Sequence, residues 1–231
     1  KGIVLLHSGG GAGYSNGGGF SDILGLLAKE GYIGIAFDPP FHSYGTQAVF
    51  GKAWFDYLHR LVTFWNGQYE GVPIVASGRS VGAPTWMQYR RLYPQSIAGV
   101  YAMSGYLRSW IDYNVEWFER EQAAGRLSIN RAGTAWVESV EAANPWLDDP
   151  MHEPVGLPPV LFAAGEKDFG DDGEYPPGAA GEWERNAQAT GQQFYMAPNT
   201  GHNVLSTHAP GFKDHWRVFI DFLNRATTRQ P

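Results

Sequence analysis

The strongest candidate for chemistry in this sequence is a serine framed by glycines. Gly78-Arg79-Ser80-Val81-Gly82 matches G-x-S-x-G, the pattern in which a serine stands on a sharp strand-to-helix turn with its hydroxyl projecting outward. Gly13-Tyr14-Ser15-Asn16-Gly17 matches it as well. Composition alone supplies about 0.2 such matches by accident, so context has to choose between the two. Ser15 lies in a glycine-rich stretch with no strand immediately before it. Ser80 follows Val72-Pro73-Ile74-Val75-Ala76 and precedes a helical run through Met87 and Tyr93, so it alone has strand, turn and helix in order. That placement also puts Ser80 at a helix N-terminus, where backbone N–H groups favour developing negative charge.

A serine hydroxyl is a poor nucleophile near neutral pH unless a base takes its proton, and the base needs an orienting anion. Two later segments supply candidates. Leu161-Phe162-Ala163-Ala164-Gly165-Glu166-Lys167-Asp168 reads as a strand followed by an acidic turn, with Asp168 as the acid and Glu166, Asp171 and Asp172 as its rivals. Tyr195-Met196-Ala197-Pro198-Asn199-Thr200-Gly201-His202 reads as the next strand followed by a loop histidine. His202 competes with His7, His42, His59, His152, His208 and His215. Of these, His59 and His215 fall within helical patterns and His208 just before the last helix. Ser80, Asp168 and His202 then share the carboxyl edge of a parallel sheet, where such sheets place their sites.

Attack on a carbonyl makes its oxygen an anion, which preorganised N–H donors stabilise. One donor is expected from Val81, directly after the serine. The second is expected from Gly9 or Gly10 in His7-Ser8-Gly9-Gly10-Gly11, where missing side chains let backbone approach a substrate. A flexible low-complexity loop is the plainer reading of that segment. A phosphate-binding loop is disfavoured, because the Lys-Ser/Thr ending is absent.

The elements that must position these groups are legible as short apolar runs at 3–6, 32–37, 72–76, 97–103, 159–164 and 193–196, with helical periodicity between most of them. Continuous apolar runs of this length suit strands buried on both faces, and alternating β and α implies an α/β fold with a mostly parallel sheet flanked by helices. Trp54, Tyr57, Leu58, Leu61, Val62 and Trp65 mark one face of a helix. Phe212, Trp216, Phe219, Ile220 and Leu223 mark another near the C-terminus. Residues 106–158 break the rhythm, carry Trp110, Trp117, Trp136 and Trp146, and end in a proline-rich segment. They read as a helical cap inserted into a single domain spanning 1–231.

The 231 residues suffice for a core that buries roughly 70–75% of the unfolded surface. With no cysteine, disulfides, thiolate metal sites and a cysteine nucleophile are excluded. A net charge of −6 provides no basic patch for nucleic acid. No stretch approaches the roughly 20 apolar residues of a membrane span, and no signal-peptide layout opens the chain. A soluble domain is expected, either cytoplasmic or secreted, and nothing in the pattern reads on its oligomeric state. Opening on Lys rather than Met and running directly into an apolar strand points to a processed or trimmed start. No H-E-x-x-H or comparable spacing supports a metal, so neither metal nor organic cofactor is expected.

Taken together, the His7-Ser8-Gly9-Gly10 loop, Phe37-Asp38-Pro39-Pro40, the turn around Ser80, Asp168 and Gly201-His202 resemble the α/β-hydrolase superfamily over essentially the full length. It departs from the pattern at Ser8, where relatives usually carry glycine, and its first strand looks like the third of the family's sheet. The resemblance implies a serine esterase or lipase-like hydrolase that forms an acyl-enzyme on Ser80 and cleaves a small-molecule ester. It also implies that the cap covers the site; the tryptophans of the insertion, Trp110 and Trp117 among them, read either as part of an apolar substrate pocket or as ordinary packing of the cap against the core. The same residue set serves C–C hydrolases, lyases, acyl transferases and peptidases of this fold, and a non-catalytic ligand-binding member is the alternative of a different class.

Overall fold

Strands buried on both faces need helices on both sides, and the computed structural model has this arrangement. It describes residues 1–8, 20–37, 52–80, 82–104, 156–169 and 179–228. The strands are β1 (Gly2–Ser8), β2 (Tyr32–Ala36), β3 (Ile74–Arg79), β4 (Gly99–Met103), β5 (Val160–Gly165) and β6 (Gln193–Ala197). The helices are α1 (Ser21–Lys29), α2 (Lys52–Gln68), α3 (Gly82–Leu92), α4 (Ala179–Ala189) and α5 (Phe212–Thr228). The sheet order is β2-β1-β3-β4-β5-β6, with every neighbouring pair parallel. The direction of winding reverses between β1 and β3, and the cleft above such a reversal is where open α/β sheets bind ligands.

Side chains alternate across the sheet, which is why the strands read as unbroken apolar runs. Ile3, Leu5, Ile74, Ala76, Val100 and Ala102 face the layer formed by α2, α3 and α4, packing with Leu58, Val62, Trp86, Tyr89 and Trp183. Val4, Leu6, Val75, Tyr101 and Met103 face α1 and α5, packing with Ile23, Leu27, Phe219 and Leu223. Of the two stripes read from the sequence as helix faces, Tyr57, Leu58, Val62 and Trp65 of the first pack into one core layer, and Phe212, Trp216, Phe219, Ile220 and Leu223 of the second into the other. The expected strand at 72–76 differs: β3 begins at Ile74 and continues to Arg79, carrying extended backbone up to Ser80. Ser77 and Gly78 hide this extension, since neither is apolar. The proposed cap falls almost entirely outside the described residues.

The α5 layer contains one buried polar pair. Tyr101 and His215 are both fully buried, and the Tyr101 hydroxyl lies 2.6 Å from His215 Nε2. Burial pushes the His215 imidazole down to about 4, with the Val204 backbone pulling weakly the other way, and burial raises the Tyr101 phenol. The phenol is therefore the donor and the neutral ring the acceptor. Because the unfolded histidine titrates near 6.5, the unfolded chain takes up this proton first as pH falls. The contribution is complete above about pH 6.5 and is lost toward pH 4, amounting to about 3 kcal/mol. Urea titrations across that range should show a pH-dependent loss of stability that is markedly smaller in His215→Phe. Parallel curves for the two proteins would contradict the assignment.

Candidate active site

The turn after β3 is built by close backbone contacts. Ser80 has φ of 55°, in the left-handed region that non-glycine residues seldom occupy. Its N–H donates to the Met103 carbonyl at 3.0 Å, and its own carbonyl accepts from Ala83 N–H at 3.1 Å as α3 begins. A Cβ on Gly78 would lie 2.1 Å from the Gly82 carbonyl oxygen, and one on Gly82 would lie 2.4 Å from the His7 carbonyl oxygen. Side chains at either position would force the strand, the turn and the helix apart. The glycines of G-x-S-x-G are thus steric requirements of this turn, and they leave Ser80 half-buried at the carboxyl edge of the sheet.

The acid and the base come from the two neighbouring crossings. β5 runs into a 3-10 turn, Glu166–Asp168, in which Asp168 is buried with 1% exposure while Glu166 and Lys167 face solvent. The loop after β6 brings His202 to it. His202 Nδ1 lies 3.0 Å from Asp168 Oδ2 and 3.3 Å from Oδ1, with 19% of the His202 side chain exposed. A carboxylate only accepts, so Nδ1 carries the proton and Nε2 is the basic nitrogen.

These two loops are held together by backbone. Lys167 N–H donates to the Thr200 carbonyl at 2.8 Å, and Asn199 N–H donates to Glu166 Oε2 at 2.8 Å. A Cβ on Gly165 would lie 2.3 Å from the carbonyl oxygens of both Thr200 and Gly201. Glu166, a rival to Asp168 in the sequence, thus braces the His202 loop while Asp168 contacts the imidazole. That bracing role left no trace in residue spacing.

The fold brings Asp168 and His202 into contact and places Ser80 at the same rim, at the end of β3. Asp171, Asp172, Gly9, Gly10, Val81, Trp110 and Trp117 lie outside the described residues, as do His42 and His152. His59 and His215 lie on α2 and α5, and His208 lies in the loop before α5. His7 is buried at the end of β1 and stacks on Phe37 with ring centroids 5.5 Å apart. Among the described residues, no group of three histidine, aspartate or glutamate side chains is arranged to hold a metal ion, and no helix is long and apolar enough to cross a membrane.

Comparison with known proteins identifies the fold. No protein-family model matches the chain, and neither does any curated protein. Solved structures do match. A soluble variant of monoglyceride lipase from Saccharomyces cerevisiae, in complex with a substrate analogue, aligns with a TM-score of 0.69 at 14% identity, covering 99% of this chain and 88% of that one. A monoacylglycerol lipase from Paleococcus ferrophilus aligns with a TM-score of 0.66 at 16% identity, covering 97% and 94%. Est1E from Butyrivibrio proteoclasticus aligns with a TM-score of 0.64 at 14% identity, covering 99% and 89%. At these identities the likeness is one of fold, and this chain has the α/β-hydrolase fold.

The close approaches make a stability prediction. Gly165→Ala should lower stability by about 1–3 kcal/mol in urea unfolding, since the added methyl meets fixed carbonyl oxygens. Gly25→Ala is the control: it lies within α1 with open space at its Cβ position and should raise stability by about 0.5–1 kcal/mol. Equal midpoints for the two variants would contradict the packing described.

Proposed function

We propose that this chain is a serine hydrolase that cleaves carboxylic esters through an acyl-enzyme on Ser80. The observation that carries the reading is the Asp168–His202 contact at the sheet edge where the strained turn presents Ser80. The α/β-hydrolase fold supports it, and so do the names of the structural neighbours, two of which are lipases acting on monoglycerides.

In this mechanism His202 Nε2 takes the Ser80 hydroxyl proton as Oγ bonds to the ester carbonyl carbon. Asp168 holds the ring in the required tautomer and stabilises the imidazolium. The carbonyl oxygen becomes an anion, which the N–H of Val81 and an N–H from Gly9 or Gly10 are assigned to receive. The C–O bond to the leaving alcohol then breaks, and the alcohol takes the proton from His202. Water, deprotonated by His202, attacks the acyl-serine; the acyl–Oγ bond breaks to release the carboxylic acid, and Ser80 Oγ takes the proton back from His202. No metal or organic cofactor has a role in these steps. Trp110 and Trp117 are assigned to the pocket for the apolar part of the substrate.

Hydrolysis of p-nitrophenyl acetate tests the reading. The protein should turn the ester over, Ser80→Ala should lower kcat by at least about a thousandfold, and Asp168→Asn should lower it by orders of magnitude with the fold retained by circular dichroism. Turnover that survives Ser80→Ala would refute the acyl-enzyme. Tight ester binding without turnover in the unaltered protein would favour a ligand-binding role instead. Comparing acyl chain lengths under the same conditions then separates an esterase preferring short chains from a lipase.

A further inference from the structure

The loop of residues 198–211 carries His202 and is fastened on both sides of it. Upstream, the bonds from Asn199 to Glu166 and from Lys167 to Thr200 tie it to the acid turn. Downstream, Val204 and Leu205 are fully buried, which fixes depth, but apolar burial is non-directional and leaves lateral position undetermined. The directional hold comes from Asp22. Its Oδ2 accepts the Thr207 N–H at 3.1 Å and also the Thr207 hydroxyl. Two donors from one residue on one charged oxygen fix both the distance and the orientation of the loop.

Asp22 lies in the first turn of α1, where the helix N-terminus stabilises its negative charge. Phe20, two residues earlier, starts that turn by accepting from Ile23 N–H at 2.9 Å. The Arg79 guanidinium lies over the Phe20 ring, 4.8 Å from its centroid, and both residues are buried. Arg79 directly precedes Ser80. One helical turn therefore contacts the residue before the serine and also grips the loop that carries the histidine, although the two descend from different strands. Asp22 and Thr207 are 185 positions apart in the sequence.

We propose that Asp22, acting through Thr207, is a positioning residue that holds His202 in register with Ser80. The proposal rests on the reading of Ser80, Asp168 and His202 as the reacting set. Asp22 touches no substrate in this account. It limits the lateral freedom of the His202 loop relative to the turn braced by Arg79 and Phe20. Misplacing a catalytic group by about 1 Å can cost up to a hundredfold in rate, so loosening one of several fastenings should cost about tenfold.

The experiment uses the full chain as Asp22→Ala, Thr207→Val and Thr207→Ser, assayed with p-nitrophenyl acetate alongside melting curves. Asp22→Ala and Thr207→Val should lower kcat about tenfold with KM changed less than about twofold, while Thr207→Ser, which keeps the hydroxyl, should return kcat close to that of the parent. Unchanged kcat in Thr207→Val overturns the proposal. So does a Thr207→Ser variant no better than Thr207→Val, or a loss of rate matched by loss of folded protein. If Asp22→Ala does not fold, the two Thr207 variants decide. A readout that needs no turnover separates this proposal from the functional reading: the downfield proton resonance of the His202 Nδ1–H bonded to Asp168, assigned by its absence in His202→Gln. Its broadening in Thr207→Val supports the positioning role even if no ester is hydrolysed, and an unaltered resonance overturns it.

Discussion

Asp168 is a carboxylate with almost no access to water, and burying such a group is costly unless a donor meets it. His202 Nδ1 is that donor. The contact meets the needs of both groups: the buried anion gains a hydrogen bond, and the imidazole gains a fixed tautomer with its basic nitrogen on the opposite side of the ring. The backbone around it keeps the pair in place. β5 and β6 end at the same level, and their following loops press together so closely at Gly165 that no side chain fits between them.

The same principle governs the turn at Ser80. A left-handed serine is unfavourable in isolation, and it persists because β3, β4 and the start of α3 each hold part of the surrounding backbone. Parallel strands make this economical. Every strand enters from the same end, so every following loop leaves at the other, and groups distant in sequence converge there without special connections. The two-sided core supplies the rigidity: aromatic packing under α2, α3 and α4, and a second apolar layer with one buried Tyr101–His215 pair under α5.

How much of this was legible in the sequence depends on the kind of signal. The strands were legible because burial on both faces forces unbroken apolar runs, and all six appeared with ends shifted by a few residues. The largest shift was at β3, where polar Ser77 and Gly78 end the apolar run before the strand itself ends. Ser80 was separable from Ser15 in the sequence because an apolar, strand-like run stands immediately before only the former. Asp168 and His202 were legible as the acidic and histidine loops after two strands. Their contact was not, and neither was the role of Glu166, since spacing cannot distinguish an acid that meets an imidazole from one that braces a loop. The Asp22–Thr207 contact left no sequence signal at all. Its members are an ordinary first-turn aspartate and a loop threonine, and only the folded chain brings them together.

The central claim is that Ser80 is activated by the His202–Asp168 pair. The most direct measurement is covalent labelling with a fluorophosphonate, in which the activated serine oxygen bonds to phosphorus and fluoride leaves, followed by peptide mass spectrometry. The account predicts one adduct, on Ser80, formed in the parent protein and abolished in His202→Ala. An adduct on Ser15, or labelling of Ser80 that proceeds equally well without His202, would contradict it.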